Sequence, residues 1–253
     1  MPEGDTIAHA ANRIRPILVG AVPQLDARHG SLKPWNERLA GRAVEAVDSY
    51  GKHLFLRLEG DLTIHSHLKM TGAWHTGPQG ARWRKPPHRA WLVLRARGHE
   101  VVNFDGPQLE LLTGLRARID RRIARLGPDI LAPAFDTERF LQRLREDDQT
   151  RPLGDALLDQ TTVAGIGNIW KCESCFDARL SPWRPLASLT DADALAVIDA
   201  ARPRMADSAR GGRQARERHI YRLTRCSVCR GPISAYGQGD DNRITYWCPA
   251  CQR

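Results

Sequence analysis

Four of the six cysteines fall in the last 28 residues, as Cys226-Ser-Val-Cys229 and Cys248-Pro-Ala-Cys251 with eighteen residues between the pairs. A segment this short cannot bury enough apolar surface to hold itself folded, so something other than a hydrophobic core must close it. Two thiolate pairs at this spacing supply four ligands to one tetrahedral zinc ion, each pair forming a knuckle and the residues between them a β-hairpin. Four protein ligands leave no open coordination position, so the ion is structural and the chemistry must come from elsewhere. Cys172 and Cys175 also form a C-x-x-C, in Trp-Lys-Cys-Glu-Ser-Cys-Phe. They lie one helical turn apart and are expected to pack as small apolar core residues.

Charge narrows the partner. The chain has 253 residues, a formal net charge of +9 and a pI near 9.7. That balance is compatible with a basic protein that has no polyanionic partner, but it favours nucleic acid over a membrane surface. Arginine is dense between Ala201 and Arg230, and its planar fork suits phosphate oxygens. No apolar run approaches the ~20 residues of a membrane span. The opening Met-Pro-Glu-Gly-Asp-Thr lacks the features of a secretory signal, so a cytoplasmic location is expected, with clustered cysteines that bind metal rather than form disulfides.

Periodicity divides the chain. Residues 5–18 have helical spacing, with Ile7, Ala10, Ala11, Ile14, Ile17 and Leu18 on one face and Pro16 as a potential kink. From Ala43 to Asn103 the pattern changes to short strands. Leu54, Leu56 and Leu58 alternate, Leu62 and Ile64 continue after Gly60-Asp61, and Ala90–Leu94 and Val101–Phe104 follow. Gly51-Lys52 lies between two runs, which puts Lys52 at a hairpin tip. Leu126-Gly-Pro-Asp-Ile-Leu-Ala-Pro133 breaks every pattern and reads as a linker. Helical segments are expected over Thr137–Glu146, Leu153–Gln160, Asn168–Ala178 and Asp191–Met205.

Between the second and third of these helices stands Gln160-Thr-Thr-Val-Ala-Gly165-Ile-Gly167-Asn168. The glycines allow a tight turn with the backbone close to a ligand. Asn168 starts a helix whose first-turn amides attract an anion, so a DNA phosphate can be held there without sequence readout. A plain helical hairpin with glycine in its loop is the competing reading.

Six segments, in order, carry a resemblance: Pro2-Glu3-Gly4; Gly51-Lys52-His-Leu-Phe-Leu; Ser66-His-Leu-Lys-Met-Thr-Gly72; Leu126-Gly-Pro-Asp; Leu158-Asp-Gln…Gly165-Ile-Gly-Asn-Ile169; and Arg243-Ile-Thr-Tyr-Trp-Cys-Pro-Ala-Cys-Gln252. Over its whole length the chain resembles the formamidopyrimidine-DNA glycosylase and endonuclease VIII family, most of all an actinobacterial type of endonuclease VIII. The resemblance implies an α+β protein: an N-terminal β-sandwich flanked by helices (residues 1–125), a linker (126–136), a helix–two-turn–helix domain (137–221) and a zinc finger (222–253). It implies a monomer that binds damaged DNA in a basic cleft between two lobes, flips the target nucleotide out of the stack and acts in base excision repair. The activity implied is that of a bifunctional DNA glycosylase and abasic-site lyase.

The resemblance also assigns roles. With Met1 removed, Pro2 is the amine that attacks the sugar's anomeric carbon and forms an iminium, with β,δ-elimination to follow. The positive end of the first helix is expected to depress that amine's pKa. Glu3 moves protons. Lys52 and Asn168 hold phosphates, Arg243 clamps those flanking the flipped nucleotide, and Met70 fills the gap that the base leaves. Cys226, Cys229, Cys248 and Cys251 hold one structural zinc.

The sequence departs from the family pattern in places. Thr6 stands where the family usually has a second carboxylate, with Asp5 as a possible substitute. Asp105-Gly-Pro-Gln-Leu-Glu110 replaces an Arg/Phe wedge, and Asp207–His219 is short for a lesion-capping loop. The last two departures favour oxidised pyrimidines over purines, whereas Thr6 points to weaker glycosylase activity beside a surviving lyase activity. The competing functions are a non-catalytic DNA-damage-binding zinc-finger protein and an abasic-site lyase with weak glycosylase activity.

Overall fold

The structure is a computed structural model that describes residues 2–114, 116, 120–211 and 217–253. The expected lesion-capping stretch lies partly outside the described residues. The chain forms two compact units, one of Pro2 and Thr6–Ala124, the other of Glu3–Asp5 and Arg125–Arg253.

In the first unit, two four-stranded antiparallel sheets face each other. One is ordered β2-β3-β4-β8, from Val44–Tyr50 (β2), His53–Leu58 (β3), Leu62–His67 (β4) and Gln108–Thr113 (β8). The other is ordered β1-β6-β7-β5, from Gln24–Ala27 (β1), Ala90–Ala96 (β6), His99–Phe104 (β7) and Ala73–Pro78 (β5). The alternation at Leu54, Leu56 and Leu58 does what it predicts: all three enter the core, with Ile64, Leu92, Leu94 and Val101. Helix α1 (Gly4–Leu18) lays Ile7, Ala11, Ile14 and Leu18 on the same core. Pro16 falls in the last turn, where its missing amide removes a single helical bond, so the helix runs on to Leu18. Strands β1, β5 and β8 carry weak alternation, and sequence periodicity alone did not mark them.

The second unit packs helices α2 (Thr137–Glu146), α3 (Leu153–Leu158), α4 (Asn168–Asp177) and α5 (Asp191–Ala209) around Phe140, Leu157, Ile166, Trp170, Val197 and Met205. Asp136 caps α2 by accepting from Arg139 N at 3.0 Å. Thr190 and Asp193 form a reciprocal capping box on α5, which continues past Pro203 to Ala209. A hairpin of β9 (Ser234–Gln238) and β10 (Arg243–Trp247) completes the unit. Cys172 and Cys175 are fully buried on α4, as expected of core residues.

Candidate active site

Glu3 is 2% exposed, and its carboxylate accepts three backbone hydrogen bonds: from Gly167 N (3.1 Å), Ile169 N (2.8 Å) and Trp170 N (3.1 Å). The first turn of α4 therefore does hold an anion, but that anion is a side chain of the protein itself. First-turn amides have no partner within their own helix, and together with its positive end they form a donor site suited to a carboxylate. Two glycines are needed for the fit. A Cβ on Gly167 would lie 2.3 Å from the Glu3 carboxyl carbon, and one on Gly4 would lie 2.9 Å from Gly165 Cα. Gly4 N also donates to Gly165 O at 2.9 Å, which ties the start of α1 to the turn.

The neighbouring acid is engaged elsewhere. Ser208 Oγ on α5 donates to Asp5 Oδ2 at 2.6 Å. Thr6 is exposed. Asp5 therefore has a partner of its own on α5.

Pro2 is half-buried and borders a cavity of about 270 Å³ in the first unit, with Thr6, Arg13, Trp74, His75 and Arg84 among its walls. Arg13 is held there by Nε donation to Thr76 Oγ1 at 2.8 Å. Burial, Arg84 and Arg13 together keep the His75 imidazole below its ordinary pKa, with Glu100 opposing them. Leu68 and Gly72 also border the cavity and are the two ends of the turn that carries Met70. That turn is tightly specified. Lys69 has φ 46°, its amide donates to His67 Nδ1 at 3.1 Å, and a Cβ on Gly72 would meet Leu68 O at 2.8 Å. Met70 projects from it with 65% of its surface exposed, which no core methionine shows.

Lys52 sits in the two-residue turn between β2 and β3, as its spacing predicts, where Gly51 takes φ 54°. Beside it is a group that the spacing analysis passed over. His53, His65 and His67 share the outward face of the sheet, and His53 Nδ1 lies 2.8 Å from His65 Nε2. Burial, His67 and His65 push His53 down to about 3, and burial, Lys69 and Lys52 push His67 down to about 4. His65 is also lowered by burial, against the raising effect of Glu110, whose Oε2 is 3.5 Å from its Nδ1. All three imidazoles are thus neutral near pH 7. The period-two spacing of His65 and His67 was the available signal, since alternate strand residues share a face.

In the second unit, Asn168 Nδ2 donates to Ile244 O at 2.8 Å, so the start of α4 is joined to the residue after Arg243. Arg243 is paired with Asp241 at 3.1 Å. Beneath them, fully buried Lys171 donates to Gln238 Oε1 at 3.3 Å and Gln238 Nε2 donates to Pro182 O at 2.9 Å, so β9 is fixed to the helices.

The four C-terminal cysteines have their Sγ atoms within 4.8 Å of one another. Two of the spacings are 3.8 Å (Cys226–Cys251) and 3.5 Å (Cys229–Cys248). Four ligands at a Zn–S bond of about 2.3 Å would lie about 3.8 Å apart, so the donor set fits a tetrahedral ion. Among the described residues no other group of three or more such ligands is close enough to hold a metal. Among the described residues no helix is long and apolar enough to cross a membrane.

Two family models match the chain: the formamidopyrimidine-DNA glycosylase N-terminal domain over residues 1–109 and the H2TH domain of the same glycosylase over residues 126–218. The chain is 38% identical to a probable endonuclease 8 2 of Streptomyces coelicolor, over 100% of this chain and 94% of that protein. It is 36% identical to a DNA-(apurinic or apyrimidinic site) lyase, Nei2, of Mycolicibacterium smegmatis, over 100% and 99% of the two chains. A crystal structure of Lactococcus lactis formamidopyrimidine-DNA glycosylase, in complex with DNA containing N7-benzyl-Fapy-dG, superposes with a TM-score of 0.84 over 100% of both chains at 21% identity. That last likeness is one of fold.

Proposed function

The chain belongs to the formamidopyrimidine-DNA glycosylase and endonuclease VIII family, and we propose that it excises oxidised bases from DNA and nicks the resulting abasic site through an amine at Pro2. The observation that carries this is the Glu3 carboxylate, held by three backbone amides one residue from that amine. A carboxylate with its orientation fixed by backbone is what a proton shuttle requires, because it needs no reorganisation during the reaction.

In this reading the nitrogen lone pair of Pro2 attacks C1′, and the base leaves with the bonding electrons and takes up a proton. The amine then loses its proton, the C1′–O4′ bond breaks as O4′ is protonated, and an iminium forms between the Pro2 nitrogen and C1′ of the opened sugar. Loss of a C2′ proton expels the 3′ phosphate, and a further elimination expels the 5′ phosphate. Glu3 is the group placed to give and take the protons of these steps. Lys52 and the adjacent His67 offer donors to a phosphate, as do Asn168 and Arg243. Met70, on its tightly specified turn, fills the space vacated by the base. The four cysteines hold a structural zinc ion that fixes the hairpin bearing Arg243 and supplies no chemistry of its own. The partner is damaged DNA and the acting species a monomer located with DNA in the cytoplasm.

Borohydride reduction in the presence of abasic-site DNA tests the amine: a covalent protein–DNA adduct is expected, and Pro2→Gly should form it poorly. An equally strong adduct that maps to a lysine instead would sink the assignment. A second reading, an abasic-site lyase with weak base excision, is favoured by exposed Thr6 and by the engagement of Asp5 with Ser208. Comparing thymine-glycol DNA with abasic DNA separates the two and also reports any preference for pyrimidines.

A further inference from the structure

We propose that the segment between β5 and β6 is an accessory DNA contact, a groove that takes the phosphodiester backbone of duplex beyond the lesion. The groove has a volume of about 700 Å³ and carries Arg28, Arg82, Arg84 and Lys85 against one acid, Glu100. That acid is already neutralised: Trp83 Nε1 donates to it at 2.8 Å, and so does Arg95 Nε at 2.8 Å. The nearby Asp105 accepts from Lys85 Nζ at 2.8 Å and Arg89 Nε at 2.7 Å. Asp26 lies near both Arg28 and Arg95. What remains uncompensated is cationic. Arg82 and Arg84 are exposed and enter no hydrogen bond or ion pair among the described residues.

The segment is pinned in place, which separates it from an ordinary solvated run of charge. Lys85 Nζ, besides meeting Asp105, donates to Thr71 O at 2.8 Å, so the segment is tied directly to the turn that carries Met70. Arg84 also borders the cavity beside Pro2. A cationic surface therefore continues from the cavity into the groove. Lys85 anchors the segment that bears Arg82 and Arg84, so their forks are presented to a phosphate from a fixed backbone.

Duplex backbone fits better than unpaired bases. The aromatic side chain available in the groove is Trp83, and Arg28 already lies over its ring at 5.5 Å while Phe104 meets it edge to face at 5.7 Å. An indole so enclosed makes a poor stacking platform for a base, whereas Arg82 and Arg84 offer free forks to phosphate oxygens.

The inference rests on the DNA-processing reading above, and the two fail separately, because trapping at Pro2 on a minimal duplex involves no groove. The test measures Kd of the full chain for an abasic-analogue duplex across a salt series by fluorescence anisotropy. On a long duplex, Arg82→Ala/Arg84→Ala should lower the slope of log Kd against log salt by about two, since each phosphate contact contributes about 0.9. The loss should disappear on a duplex trimmed to the nucleotides around the lesion, and Arg82→Lys/Arg84→Lys should keep most of the slope. An unchanged slope on the long duplex overturns the proposal. So does an equal loss on the trimmed duplex, which would put the arginines at the lesion, or a larger loss on single strands, which would make the groove a site for unpaired bases.

Discussion

The residues proposed for the reaction are held in two different ways. In the second unit, Glu3 and Asn168 are fixed by backbone: three amides on one carboxylate, one carbonyl on one amide. In the first unit, Lys52 and Met70 stand on tight turns: Gly51 takes φ 54° beside half-buried Lys52, and Met70 is 65% exposed. The difference matches two kinds of task. A proton-transfer group loses rate with small displacements, so it is buried and over-determined. A side chain that enters a base stack must move with DNA, which suits the exposed Met70 on its specified turn.

The largest effect that would sharpen this contrast comes from the metal. Cys248→Ser should abolish zinc binding and release the hairpin bearing Arg243, measured as one zinc lost per chain and collapse of DNA affinity; a variant that keeps its zinc and affinity would show that the hairpin holds itself. Next comes Glu3→Gln, which replaces one acceptor oxygen with an amide group facing backbone donors. Abasic-site cleavage in single turnover should fall by about 10²-fold or more.

Gly167→Ala probes the same grip from the other side. Its methyl would overlap the Glu3 carboxyl carbon at 2.3 Å, so stability should drop by roughly 1–3 kcal/mol, read by denaturant melts, with cleavage falling alongside. If stability drops while cleavage holds, placement of Glu3 is not what limits the reaction.

The histidines beside Lys52 give a smaller, pH-dependent effect. Their folded pKa values lie near 3 and 4, below the unfolded value near 6.5, so the unfolded chain binds more protons between those limits. Stability should therefore be fully present above pH 6.5 and decline as pH falls toward 4. His53→Gln should flatten that decline in a Tm series, and an unchanged profile would assign the acid sensitivity to other groups. The smallest effect belongs to Met70→Ala. Its exposed side chain predicts a stability change within about 0.5 kcal/mol, with base excision reduced more than cleavage of preformed abasic sites. A stability loss comparable to that of Gly167→Ala would erase the distinction between the two regions.

Much of this was readable in the chain. The alternating leucines of β3 marked one wall of the sandwich, the cysteine pairs marked the thiol cluster, and Gly51-Lys52 marked a turn. The anion-holding start of α4 was also legible as a class of site. Its occupant was not, because Glu3 precedes Gly167 by 164 residues and no local pattern links them. The engagement of Asp5 by Ser208, 203 residues away, was hidden for the same reason. His53 and His65 escaped notice because a histidine on an exposed-looking strand face carries no mark of burial until a neighbouring strand brings its partner.

By itself the sequence determined what is periodic or local: helix and strand identity, turn positions and the thiol set. Tertiary structure decided which polar groups meet across long separations and which charges remain unpaired once the others have found partners. The physical reason is that hydrophobic period and turn chemistry act over a few residues, whereas hydrogen-bond satisfaction and desolvation depend on what packing brings alongside.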